Sequence, residues 1–109
     1  MYKLLSFLFL FIGINSFAQT QKTVTVEIQT SAKCDECKER IEKALAYEKG
    51  VKQAQVNLKN AIVTITYNAD KTNPQILRKT ISLVGYDADS VKADTKAYQS
   101  LPTCCQKGH

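Results

Sequence analysis

Apolar and polar positions alternate strictly from Lys22 to Gln29, with Val24, Val26 and Ile28 on one face and Thr23, Thr25 and Glu27 on the other. A period of two with β-branched residues predicts a half-buried strand. The period then lengthens. Cys37, Ile41, Ala44 and Leu45 recur at i, i+4, i+7 and i+8, one stripe of an amphipathic helix that Gly50 ends. Glu36 with Arg40 and Glu39 with Lys43 are acid-to-base pairs that support its outer face. "VKQAQVNL" (51–58) and "AIVTITY" (61–67) form a hairpin turned at Lys59-Asn60. The second of these strands is rich in β-branched residues and apolar on both faces, which places it inside a sheet.

A second helix starts at "TNPQ": Thr72 or Asn73 as cap, Pro74 in the first turn and Gln75 for a capping box. It buries Leu77, Ile81 and Val84 and stops at Gly85, after which "YDADSVKA" reads as a last short strand. The order strand-helix-strand, strand-helix-strand over residues 22–91 predicts an α+β domain. Its expected form is a ferredoxin-like βαββαβ sandwich, a four-stranded antiparallel sheet with two helices on one face. Tyr47 and Tyr67 belong to its core on hydropathy. The remaining 92–109 lacks periodicity and reads as a tail.

The N-terminus has a different pattern. Lys3 precedes an apolar run of 11 residues, Leu4 to Ile14, and then the small-residue site Ser16-Phe17-Ala18. That is the order of a secretory signal peptide, residues 1–18, cleaved after Ala18. The run is short of the roughly 20 residues that span a bilayer, so no stable membrane anchor is expected after cleavage. No cysteine stands near the cleavage site to accept lipid. The mature chain is then periplasmic or secreted, and small enough to bury only about 60% of its unfolded surface. The full chain carries 15 basic and 10 acidic residues, net +5, and Lys3 leaves with the leader. The basic residues are interspersed with acids and flank no aromatic platform, which argues for a solvated surface and against nucleic acid.

Chemistry concentrates on cysteine. The chain has four, Cys34, Cys37, Cys104 and Cys105, and one histidine, His109. Cys34-x-x-Cys37 opens the first helix immediately after the first strand, where two thiolates converge on one soft ion and the helix N-terminus favours the anion. A redox couple or a structural disulfide are the competing readings of the same pair in an oxidising compartment. Asp35 and Glu36 between the thiols would raise their pKa and favour a divalent cation. "CCQKGH" adds Cys104, Cys105 and His109 as auxiliary metal ligands or as thiols that bridge to the domain. A last strand would carry the start of the tail away from Cys34. Residues 92 to 104 extended nevertheless reach about 40 Å against about 20 Å for a six-residue strand, so the tail can return. Side by side, one of the adjacent cysteines plus His109 is the expected contribution. With one histidine, no serine-histidine-carboxylate set and no glycine-rich phosphate loop, nothing supports catalysis.

Cys34-x-x-Cys37 after the first strand, "VNLKNAIVTITYNAD" and "LRKTISLVGYDA" together resemble the heavy-metal-associated domain family, which includes copper chaperones and mercury-binding periplasmic proteins. The resemblance covers residues 22–91. It implies Cys34 and Cys37 as metal ligands, Tyr86 in a loop facing them, and a metal transporter or efflux protein as partner. It makes the cargo a heavy-metal ion, with Cu(I) favoured and Zn(II) or Hg(II) as alternatives. Ala32 stands where the family has methionine, which implies a less supported binding loop.

Overall fold

The computed structural model describes residues 22–107. The leader 1–18 and His109 lie outside the described residues. Strand β1 (Thr23–Gln29) leads to helix α1 (Asp35–Ala46), then to β2 (Val51–Asn57), β3 (Ile62–Asn68) and α2 (Pro74–Leu83). The sheet is antiparallel in the order β1-β3-β2, so the strand richest in β-branched residues is indeed the central one. Val63, Ile65 and Tyr67 of β3 face the core with Ile28 and Val56, while Thr64 is exposed on the opposite face. Against the apolar face lie Cys37, Ile41 and Leu45 of α1 and Leu77 and Ile81 of α2.

Local signals place the helices as the sequence predicts. Asn73 caps α2, its side chain accepting the Ile76 N–H at 2.9 Å with Pro74 in the first turn. Gly50 and Gly85 both take positive φ, 93° and 104°, where a Cβ would be strained. The edge strand β2 is fastened by a device that periodicity does not reveal. Glu42 of α1 accepts the Val56 N–H at 2.8 Å, Lys38 donates to the Val56 carbonyl at 2.7 Å, and the two side chains pair with each other at 2.7 Å. Tyr47 is not core. It follows the end of α1 and is 80% exposed, whereas Tyr67 is buried.

The expected fourth strand is where the layout departs from a four-stranded ferredoxin-like sheet. Among the described residues the sheet has three strands, and beyond β1 only single bridges form, Thr30 with Ala88 and Ala88 with Val91. Asp89 adopts φ 54° and the chain folds back at once, Ala88 and Val91 exchanging both backbone hydrogen bonds at 2.9 Å. The backbone groups that would extend a ladder along β1 are thus used within the turn. Asp89 anchors it to the strand: its N–H donates to the Gln29 carbonyl, its carboxylate accepts the Gln29 N–H, and Arg78 pairs with it at 2.9 Å.

That reversal redirects the C-terminal segment. Asp94 caps a short helix α3 (Thr95–Gln99) by accepting the Ala97 N–H, and a 3-10 turn covers Thr103–Cys105. Leu101 and Cys105 are buried in the same core cluster as α1 and α2. The segment without periodicity is therefore a docked element, held by short-range caps and two buried side chains.

Candidate metal centre

The loop from Thr30 to Cys34 is built by hydroxyl groups. Thr30 donates its hydroxyl to the Ala61 carbonyl at 2.6 Å, and the same oxygen accepts the Ala32 N–H at 3.1 Å. Ser31 Oγ accepts the Asp87 N–H at 2.9 Å, which ties the loop to the segment after α2. Ala32 is buried. Thr30 and Ser31 thus brace the loop just ahead of the buried Ala32 through hydrogen bonds.

Cys34 is the N-cap residue of α1 in extended conformation, and Cys37 lies in its first turn. Their sulfurs are 3.3 Å apart as free thiols, with Cys37 fully buried and Cys34 half-exposed. The tail arrives at the same point. Cys34 Sγ lies 3.4 Å from Cys104 Sγ and 3.5 Å from Cys105 Sγ, and the two adjacent cysteines are 3.9 Å apart. Both tail thiols therefore reach Cys34, because the 3-10 turn places them on one side, where an extended backbone would point them apart. Cys34, Cys104 and Cys105 all lie within 4.8 Å of one another. Lys33 clasps the tail by donating to the Gln106 carbonyl at 2.9 Å. Lys107 pairs with Asp87 at 2.6 Å and donates its N–H to the Tyr98 hydroxyl.

The electrostatics differ from the sequence expectation. Burial pushes the Cys34 thiol up, but the Cys37 N–H and thiol together with the Cys104 and Cys105 thiols outweigh it and bring Cys34 down to about 7. The acid between the thiols acts elsewhere. Glu36 accepts a hydrogen bond from the Cys104 thiol at 3.8 Å and helps to hold that thiol above its usual range, with Cys34 the larger cause. Burial is the main cause that raises Cys105, and it raises Tyr86 further. The Tyr86 hydroxyl is buried and faces the Cys37 and Cys105 thiols, with no oxygen or nitrogen partner among the described residues. The site thus has one thiol ready to ionise near neutral pH, beside two tail thiols held above their usual range.

The match to the model of the heavy-metal-associated domain spans residues 30–87, more than half of the chain, and ends before Cys104 and Cys105. The chain is 46% identical over 59 residues to a copper-exporting P-type ATPase of Staphylococcus saprophyticus, covering 54% of this chain and 7% of the ATPase. To the periplasmic component of a mercuric transport protein from Shewanella putrefaciens it is 33% identical over 79 residues, 72% of this chain and 85% of that protein. The solved structure of a CopZ metallochaperone superposes with TM-score 0.58 at 30% identity, covering 60% of this chain and 98% of that one. With its three-stranded antiparallel sheet, its helices and its cysteine cluster, the chain belongs to the heavy-metal-associated domain family.

Proposed function

We propose that the protein is an exported carrier or scavenger of a heavy-metal ion, with Cu(I) as the favoured cargo and Hg(II) or Zn(II) as alternatives. Cys34 and Cys37 are the primary ligands. The observation that carries this reading is the pair of sulfurs 3.3 Å apart at the junction of loop and helix, one of them ionising at about 7. A thiolate is the form that binds metal, and soft thiolates select Cu(I) and other soft ions over hard ones. Cys34 is half-exposed, so an incoming thiolate can reach the ion and take it by ligand exchange. Kinship with a segment of a copper-exporting ATPase and with a mercuric periplasmic component supports a transporter or efflux protein as the recipient. The leader pattern of residues 1–18 supports a periplasmic or secreted location. Such a carrier binds and releases its ion and catalyses no reaction.

Competition of the reduced protein against a chromophoric Cu(I) chelator tests the assignment. Cys34→Ser and Cys37→Ser are each expected to abolish tight binding while the domain stays folded. Unchanged affinity in both variants overturns it.

One observation favours a second reading. A thiol with three sulfur neighbours, as Cys34 has, is also suited to disulfide exchange. Insulin reduction by dithiothreitol separates the two: a carrier leaves the rate at background, whereas turnover that disappears in Cys34→Ser establishes an oxidoreductase.

A further inference from the structure

We infer that Cys104 and Cys105 are metal ligands in their own right and that, with Cys34 and Cys37, they form a four-sulfur site for a tetrahedral divalent ion of the zinc class. The inference rests on the reading of Cys34 and Cys37 as ligands and extends it to a segment outside the matched domain. Two thiolates satisfy an ion content with low coordination, but a zinc-class ion takes four ligands in a tetrahedron. Zinc-to-sulfur bonds of about 2.3 Å set the sulfurs of such a tetrahedron about 3.8 Å apart. The distances found are 3.3, 3.4 and 3.5 Å from Cys34 to the other three sulfurs, and 3.9 Å between Cys104 and Cys105. Cys34, Cys104 and Cys105 form one face; Cys37 lies 3.3 Å from Cys34 but outside that group, and supplies the fourth corner by closing on the tail sulfurs. An ion entering the cluster has to spread the Cys34 edges by a few tenths of an ångström and to draw Cys37 and the tail sulfurs together.

The tail is built to be there. Leu101 and Cys105 are buried, and the Gln106 amide donates to the carbonyls of Leu101 and Tyr98. Lys33 and Asp87 clasp the last residues from two sides. A segment that merely trailed from the domain would not bury Cys105 to 2% exposure beside Cys37 and the Tyr86 hydroxyl. Glu36 next to Cys104 adds negative charge, which suits a divalent ion better than a monovalent one.

The test compares the full reduced chain with Cys104→Ser and with Cys104→Ser/Cys105→Ser in anaerobic titrations. Co(II) is the spectroscopic probe, Zn(II) is measured by competition, and Cu(I) is the control. The full chain should give the intense visible bands of tetrahedral Co(II) with sulfur-to-metal charge transfer. Cys104 is exposed, so its replacement leaves the core intact and should remove about a quarter of the charge-transfer intensity, one ligand of four. The double variant should lose the four-sulfur spectrum and bind Zn(II) at least about a hundredfold more weakly, with Cu(I) affinity changed by less than about tenfold. If both variants keep the Co(II) spectrum and the Zn(II) affinity while Cu(I) stays tight, the tail thiols are not ligands and the two-cysteine carrier stands alone. If the full chain fails to bind Cu(I), Zn(II) and Co(II), the carrier reading and this one fall together.

Discussion

Cys34 and Cys104 are 70 positions apart in the chain, and their sulfurs are 3.4 Å apart in space. Cys34 is therefore the meeting point of the domain and the tail, and the thiol through which oxidation of this cluster should start. A thiolate attacks while a thiol waits, and Cys34 is held down at about 7 while Cys104 and Cys105 are held above their usual range. Under a mild oxidant such as diamide, Cys34→Ser should slow the loss of free thiols by at least about tenfold, and Cys105→Ser by much less. Thiol counting over time reads the outcome. Equal rates in the two variants would show that Cys34 is not the entry point.

The same thiol should set a pH profile. Alkylation of metal-free protein by iodoacetamide should quicken with pH and level off above about 7 for Cys34, while Cys105, raised by burial, stays unreactive through that range. The sign for stability follows. Cys34 loses its proton more readily folded than unfolded, so its contribution is present above the ordinary thiol pKa of 9.0 and is lost as pH falls through about 7. Cys105 has the opposite sign: its contribution is present below 9.0 and is lost as pH rises beyond it. Denaturation midpoints of the reduced protein across this range, compared with Cys34→Ser, should differ in slope between pH 7 and 9. Parallel curves would mean that the donors around Cys34 do not stabilise its thiolate.

A local strain in the hairpin offers an independent check. Ala61 holds φ 63°, a left-handed conformation, while its N–H donates to the Asn57 carbonyl at 2.7 Å. An alanine there carries the steric cost of its Cβ, which glycine avoids. Ala61→Gly should raise stability by about 1 kcal/mol in urea unfolding of the reduced protein, against the usual trend for replacement by glycine. A loss of stability would show that unfolded-state entropy outweighs the relief of strain.

The elements that position Cys34 and Cys37 were legible because each has a local cause. Alternation marks β1, an i, i+4 stripe marks α1, and Asn73-Pro74 marks the start of α2. The central place of β3 followed from its β-branched residues. What escaped depends on contacts distant in sequence. Asp89-Ser90 looks like strand until Arg78 and Gln29 are seen holding Asp89 in a turn. The path of the tail then depends on that turn, since a chain reversed at Asp89 returns toward Cys34. Donor composition brought the tail cysteines into consideration, but reach alone could not show that both of them face Cys34. Nor could residue order show Cys34 ionising easily beside two acids, because the decisive donors are on Cys37, Cys104 and Cys105.

Gly85 joins the two halves of the site, and a substitution there should disturb both. It takes φ 104° at the end of α2, one residue before Tyr86. A Cβ built on it would lie 3.1 Å from the Ala97 backbone of α3 and 3.1 Å from the Leu101 side chain. Gly85→Ala thus meets two penalties, a left-handed backbone with a side chain and a helix that must shift to make room. The expected cost is about 1–3 kcal/mol of stability. Leu101 could move by rotation, but the Ala97 backbone cannot, so α3 and the turn at Thr103–Cys105 should be displaced with it. Cys105 then loses its shelter, and its alkylation under native conditions should become rapid while that of Cys37, held by α1, stays slow. Leu101→Ala provides the comparison: it removes the anchor without straining Gly85, and should expose Cys105 with the loop backbone intact. Full stability and a protected Cys105 in Gly85→Ala would show that the contact between α3 and Gly85 does not hold the tail at the cysteines.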